Sequence, residues 1–157
     1  GHNIDPAEIE EALLHHDAVA FAGAIGQPDA HSGEVPCAFV ELVEGASVTP
    51  EELIAFCNGH VHERAARPKH MTIMPELPKT AVGKIFKPDL RKMAIERIYN
   101  ETLEAAGLDA RVLTVIDDKK RGLVAQIDPR GTQEEDIASA LADHVRPWEL
   151  LKTAEAA

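Results

Sequence analysis

The same punctuation opens two segments of this chain. Asp5-Pro6-Ala7-Glu8 and Thr49-Pro50-Glu51-Glu52 each set a capping residue, then proline, then acids ahead of apolar positions. An Asp or Thr oxygen can accept from the free amides of a first turn, proline suits the first helical position, and early acids favour the helix dipole. The pattern predicts one helix from Pro6, with Ile9, Leu13 and Leu14 as its apolar stripe, and a second from Pro50 to about Arg64. Short apolar runs lie between and after them: 18–25 (AVAFAGAI), 35–43 (VPCAFVELV) and 70–74 (HMTIM), each short enough to be a strand. The order helix, strand, strand, helix, strand constrains the fold more than any bulk property does.

Past a loop at 75–83, the segment from Pro88 carries Leu90, Met93, Ala94 and Ile98 at helical spacing, and Gly107 stops it. Residues 111–116 (RVLTVI) and 122–127 (GLVAQI) flank the turn-like Asp117-Asp118-Lys119-Lys120-Arg121 and predict a hairpin. A last helix is expected over 133–146 behind a Thr132 cap, with Trp148 as a packing anchor. The final block therefore reads as a hairpin and helix appended to a main domain. The 157 residues suit that arrangement.

Charge distribution adds a second constraint. The net charge is −11, which argues against a dedicated nucleic-acid binder. The average conceals a division: residues 1–63 hold 12 acids and no Lys or Arg, whereas residues 64–92 carry a net +6. That strip contains Arg64, Arg67, Lys69, Lys79, Lys84, Lys87, Arg91 and Lys92, half of all the basic residues, and should attract an anionic ligand. No apolar run approaches a membrane span. Two cysteines, Cys37 and Cys57, are too few for a disulfide scaffold and read as reduced thiols of a cytoplasmic protein. The pairs His15-His16 and His60-Val61-His62 lack the cysteine or carboxylate spacing of a zinc site, so no metal site is expected; Cys57 with His60 is a weak nucleophile pair.

Chemistry concentrates in Pro78-Lys79-Thr80-Ala81-Val82-Gly83-Lys84-Ile85. Gly83 permits a tight turn beside a lysine that can reach an anion as a point charge. The segment is not a phosphate-cradling P-loop, because Pro78 replaces the first glycine and Ile85 replaces the final Ser or Thr. Lys84 must complete a site whose other parts lie elsewhere.

Two motifs make the chain recognisable. Gly1-His2-Asn3-Ile4-Asp5-Pro6-Ala7-Glu8-Ile9-Glu10 resembles the segment after the interdomain hinge of the adenylate-forming enzymes, and Leu77 to Ile85 resembles their Pro-[Arg/Lys]-Thr-x-x-Gly-Lys motif. The separation, about 75 residues, and the element order between them also match. Residues 1–105 thus resemble the small C-terminal domain, the lid, of fatty-acyl and aryl acyl-CoA synthetases, and 106–157 form an appendage outside the common pattern. The fold this implies is α+β, a small mixed sheet with flanking helices, followed by the hairpin and helix.

The resemblance also implies roles. Lys84 falls on the lysine that bridges the substrate carboxylate and the ATP α-phosphate. Gly83 supplies its turn. A hinge rotation then withdraws the lysine loop and brings the face with Gly1, His2 and Asn3 to the pantetheine arm of CoA. Arg67 and Lys69 align with residues that hold CoA phosphates; Ala65 stands where some relatives stack an aromatic ring on the CoA adenine. ATP, Mg²⁺ and CoA are the implied cofactors, with Mg²⁺ bound mainly elsewhere. The implied partners are a small carboxylic acid and a large N-terminal adenylation domain that this chain lacks. The chain is accordingly expected to be a fragment, inactive alone. The rival readings are a lid that serves carrier-protein loading and a stand-alone interaction module of the same fold. The appendage is a candidate for packing on the lid or for forming a homodimer.

Overall fold

The computed structural model describes residues 5–151. Gly1, His2 and Asn3 lie outside the described residues. The elements in chain order are α1 (Pro6–Leu14), β1 (Val19–Asp29), β2 (Gly33–Leu42), α2 (Pro50–Asn58), β3 (Met71–Met74), α3 (Lys87–Ala105), β4 (Arg111–Asp118), β5 (Gly122–Asp128), α4 (Glu134–Ala140) and β6 (Trp148–Leu150), with a 3₁₀ turn at Arg64–Ala66. This is the expected α+β class. Packing forms two compact units. One holds the stretches up to Gln27 and Glu34–Arg91; the other holds Pro28–Gly33 and the stretch from Lys92 onward. Helix α3 gives its first residues to the first unit and the rest to the second.

In the first unit the strand order is β1-β2-β3. β2 and β3 run parallel, with Ala38 opposite Met71 and Glu41 opposite Met74, so the sheet is mixed. The strand period of two sends Ala22, Ala24, Ala38 and Val40 into a core shared with Ile9 and Leu13 of α1 and Leu53 and Cys57 of α2. α2 begins as predicted: Thr49 Oγ1 accepts from Glu52 N at 3.1 Å and meets Glu52 Oε1 at 3.2 Å. The bond from the Glu52 amide to the Thr49 hydroxyl is worth about 1 kcal/mol. Asp5 occupies the corresponding place before α1 but makes no side-chain cap bond. The helix expected to reach Arg64 ends at Asn58, where Gly59 takes the cap; the 3₁₀ turn follows separately.

In the second unit β4 and β5 pair antiparallel and β5 and β6 pair parallel. Ile95, Tyr99 and Leu103, spaced four apart along α3, fill the core with Val112, Ala125 and Ile127. A register shift lies between Val112 and Thr114. Asn100 secures the adjacent backbone, its Oδ1 accepting from Val112 N at 2.7 Å and its Nδ2 donating to Val112 O at 3.4 Å. The appendage departs from expectation in two ways. Its helix is Glu134–Ala140 behind Gln133, shorter than 133–146 and without a Thr132 cap. It also contains a third strand, β6, which places Trp148 beside Ala125 in register.

The β4–β5 turn is held by one carboxylate. Asp118 Oδ1 accepts from Lys120 N at 2.8 Å and Arg121 N at 2.9 Å, and Arg121 Nη2 donates to Asp118 Oδ2 at 3.1 Å. The Arg121 amide, then the Lys120 amide, then the guanidinium pull the Asp118 carboxyl from 3.8 down to about 2. The folded pKa is depressed. The ionised form therefore adds stability above about pH 4, and that contribution disappears as pH falls through about 2. An NMR titration of Asp118 is expected to show a midpoint near 2; a midpoint at 3.8 would contradict these turn bonds.

Candidate functional site

The expected lysine loop is a small, tied hairpin. Lys79 and Ile85 form an antiparallel bridge. Thr80 N donates to Lys84 O at 2.7 Å, Gly83 N to Thr80 O at 2.9 Å, and Phe86 N to Pro78 O at 2.8 Å. Lys84 N donates to Thr80 Oγ1 at 3.2 Å. Gly83 turns the chain at φ +85°, in the left-handed region that a side chain disfavours. A Cβ there would meet nothing within 4 Å, so conformation, not space, calls for glycine.

The hairpin rests on the first sheet. A Cβ at Gly23 of β1 would come within 2.8 Å of Leu90 Cδ1 and 3.0 Å of Ile85 Cγ2. The absent side chain lets the residue after Lys84 lie directly on the strand. Lys79 Nζ donates to Glu41 Oε1 at 2.7 Å and sits 4.2 Å from the centre of the Phe21 ring.

Three lysines serve this region, and two have carboxylate partners. Lys79 pairs with Glu41 at 2.7 Å and Lys87 with Glu10 at 2.8 Å. Both partners come from the base-free stretch 1–63, which thereby pairs with two of the strip's eight bases. Lys84 is exposed, and among the described residues its ammonium has no ion-pair partner. Such an ammonium is a mobile positive charge on a fixed backbone, suited to lie between two anions.

The other basic candidates lie before β3, whereas Lys84 lies after it. Arg67 Nε donates to Val61 O at 2.8 Å, and Lys69 Nζ to Arg64 O at 3.3 Å. Among the described residues no hydrogen bond joins either of them to Lys84. The structure thus places an adenylation candidate and a candidate phosphate pair on segments flanking opposite ends of one strand.

The histidine and cysteine candidates carry structural duties. His15 and His60 stack with ring centres 6.1 Å apart, and their Nδ1 atoms meet Glu11 O and Phe56 O. Burial, and secondarily the charge of Glu8, pushes the Cys57 thiol up to about 11, so it stays protonated and a poor nucleophile. Among the described residues there is no group of three or more His, Cys, Asp or Glu able to hold a metal ion.

A family model, "AMP-binding enzyme C-terminal domain", matches residues 8–84, ending on the lysine just described. Residues 8–84 are an AMP-binding enzyme C-terminal domain. Marinolic acid–CoA ligase of Pseudoalteromonas sp. (strain SANK 73390) is 41% identical over 145 residues, 90% of this chain and 22% of that protein. The 2-succinylbenzoate–CoA ligase of Geobacillus sp. (strain WCH70) is 43% identical over 93 residues, 59% of this chain and 19% of that protein. A crystal structure of Brucella canis acyl-CoA synthetase superposes with a TM-score of 0.56 at 39% identity, covering 62% of this chain and 18% of that chain. The chain spans about a fifth of the length of the curated relatives it matches. A match over 90% of 157 residues must extend past the C-terminal-domain pattern, so the Pseudoalteromonas ligase shares much of the second unit as well.

Sequence reasoning missed Glu41, Phe21 and Gly23. Glu41 and Lys79 are 38 residues apart, beyond any local periodicity. The available signal was charge: acids gathered in 1–63 and bases in 64–92 imply pairing, though not which partners.

Proposed function

We propose that this chain is the lid domain of an ATP-dependent acyl-CoA ligase acting in two steps. In the first, a carboxylate oxygen attacks the α-phosphorus of ATP and pyrophosphate leaves, giving an acyl adenylate. In the second, the CoA thiol attacks the acyl carbon and AMP leaves. Lys84 carries the first step, its ammonium offsetting the charge that builds as two anions approach. The observation that supports this most is the contrast among three neighbouring lysines: Lys79 and Lys87 are ion-paired, and Lys84 is exposed on a tied hairpin with no such partner among the described residues.

Arg67 and Lys69 hold CoA phosphates in the second step. Their place on the far side of β3 fits a domain that presents one segment for adenylation and another for thioester formation. Gly1, His2 and Asn3 would line the pantetheine path. Mg²⁺ would accompany ATP and be bound mainly by the rest of the enzyme. The large adenylation domain is the lid's partner within the ligase. The substrate is a fatty-acyl or aryl carboxylate, and the enzyme is cytoplasmic, in keeping with two buried cysteines that are not joined in a disulfide. Residues 106–157 are the part that would pack on the lid or mediate a homodimer.

The acceptor decides between free CoA and a carrier protein, which has no adenosine phosphates. In the full-length ligase, CoA is expected to accept the acyl group in preference to a phosphopantetheinyl carrier protein. An Arg67→Ala/Lys69→Ala variant should raise KM for CoA at least about tenfold, the value of one charge-assisted contact, with acyl-adenylate formation unchanged. Faster transfer to the carrier protein, or an unchanged KM for CoA, would contradict the assignment.

A further inference from the structure

We propose that Glu41, acting through Lys79, is a positioning residue that sets the Lys84 hairpin for adenylation. The inference rests on the reading of Lys84 given above. Glu41 stands at the end of β2, opposite Met74, where β3 gives way to the loop. One of its oxygens, Oε1, accepts from both Lys79 Nζ at 2.7 Å and Leu77 N at 2.9 Å. Lys79 Nζ also donates to Leu77 O at 3.3 Å and lies over the Phe21 ring. The Glu41 carboxylate, Leu77, Lys79 and an aromatic face therefore meet at the root of the hairpin.

The root is connected to Lys84 through the bonds of the hairpin itself. Lys79 bridges Ile85, and Thr80 on the same arm bonds Lys84 O and, through its hydroxyl, Lys84 N. A shift of Lys79 must therefore carry the Lys84 backbone with it. On the other arm Ile85 is pressed on Gly23, which limits where the hairpin can go. Both side chains are mostly covered, 20% exposed for Lys79 and 18% for Glu41. Pairs of this kind contribute little to global stability. A misplacement of about 1 Å at a reacting centre, in contrast, can cost about a hundredfold in rate. The Lys79 ammonium, then the Leu77 amide, hold the Glu41 carboxyl below its ordinary range, so it is ionised at neutral pH.

The test uses the full-length ligase and separates the half-reactions. Glu41→Gln keeps an acceptor for Leu77 N but removes the charge; Lys79→Met keeps the length but not the cation. Each is expected to lower kcat for carboxylate-dependent ATP–pyrophosphate exchange about tenfold or more, with KM for ATP nearly unchanged. Thioester formation from supplied acyl adenylate should stay at the wild-type rate, because the hairpin takes no part in it. Lys79→Arg should retain exchange, and the reversed pair Glu41→Lys/Lys79→Glu should recover part of it. Equal loss in both half-reactions, or unchanged exchange in Glu41→Gln and Lys79→Met, would overturn the positioning role. Lys84→Ala run alongside distinguishes the two claims. If it abolishes exchange while Glu41→Gln and Lys79→Met do not alter it, the positioning role alone fails. If it leaves exchange intact, the reading of Lys84 fails and takes the positioning role with it.

Discussion

Replacing Lys84 with alanine in the full-length ligase is expected to lower ATP–pyrophosphate exchange by about 10²–10³-fold. The magnitude is that of removing one preorganised charge or donor aimed at a transition state. Water is a poor substitute, because the ammonium stands on a backbone already fixed by Thr80, Gly83 and the Lys79–Ile85 bridge. Neighbouring cations cannot replace it. Lys79 and Lys87 are committed to Glu41 and Glu10, and releasing either would leave a carboxylate without its partner. The loss should appear in kcat for exchange, since Lys84 lies in an exposed turn where alanine disturbs no core contact.

The largest stability effect should come from the second unit. Tyr99→Ala is expected to cost about 3–5 kcal/mol, the range for truncating a large buried aromatic side chain. Tyr99 is fully buried among Ile95, Leu103 and the strands, and its hydroxyl donates to Arg146 O at 2.8 Å. Burial pushes its pKa up to about 12, so the hydroxyl remains a donor at any ordinary pH. Tyr99→Phe should cost only about 1–3 kcal/mol, the desolvation of a carbonyl that loses this bond. Urea unfolding of the two variants checks both figures. Equal costs would mean that the hydrogen bond, not the packing, dominates at this position.

What the chain reveals before folding is mostly local. Two proline-punctuated starts located α1 and α2, because capping and first-turn chemistry act within a few residues. The Lys84 loop is legible for the same reason, since Pro78, Gly83 and the lysine beside it lie within seven positions, but the bonds that make it a hairpin are not. The end of α2 was misplaced because apolar spacing continues through Val61 while Gly59 stops the helix. Strand β6 was invisible, since three residues carry no alternation and the pairing with Ala125–Ile127 is long-range. The helix expected over 133–146 was overextended, because a run of Ala, Leu and His fits a helical stripe although the helix ends at Ala140. Asp5 shows the limit of cap reading: the right residue in the right place makes no cap bond. Glu41 shows the limit for the site, because strand pairing and loop return decide which acid of the N-terminal stretch meets Lys79.

In the proposed reaction Lys84 acts in adenylation and leaves thioester formation to another face. This division is tested most directly by giving the Lys84→Ala full-length enzyme a chemically prepared acyl adenylate and CoA, and timing thioester release in a single turnover. Release is expected at the wild-type rate from an enzyme that has lost pyrophosphate exchange. A thioester step slowed by the same factor as exchange would contradict it.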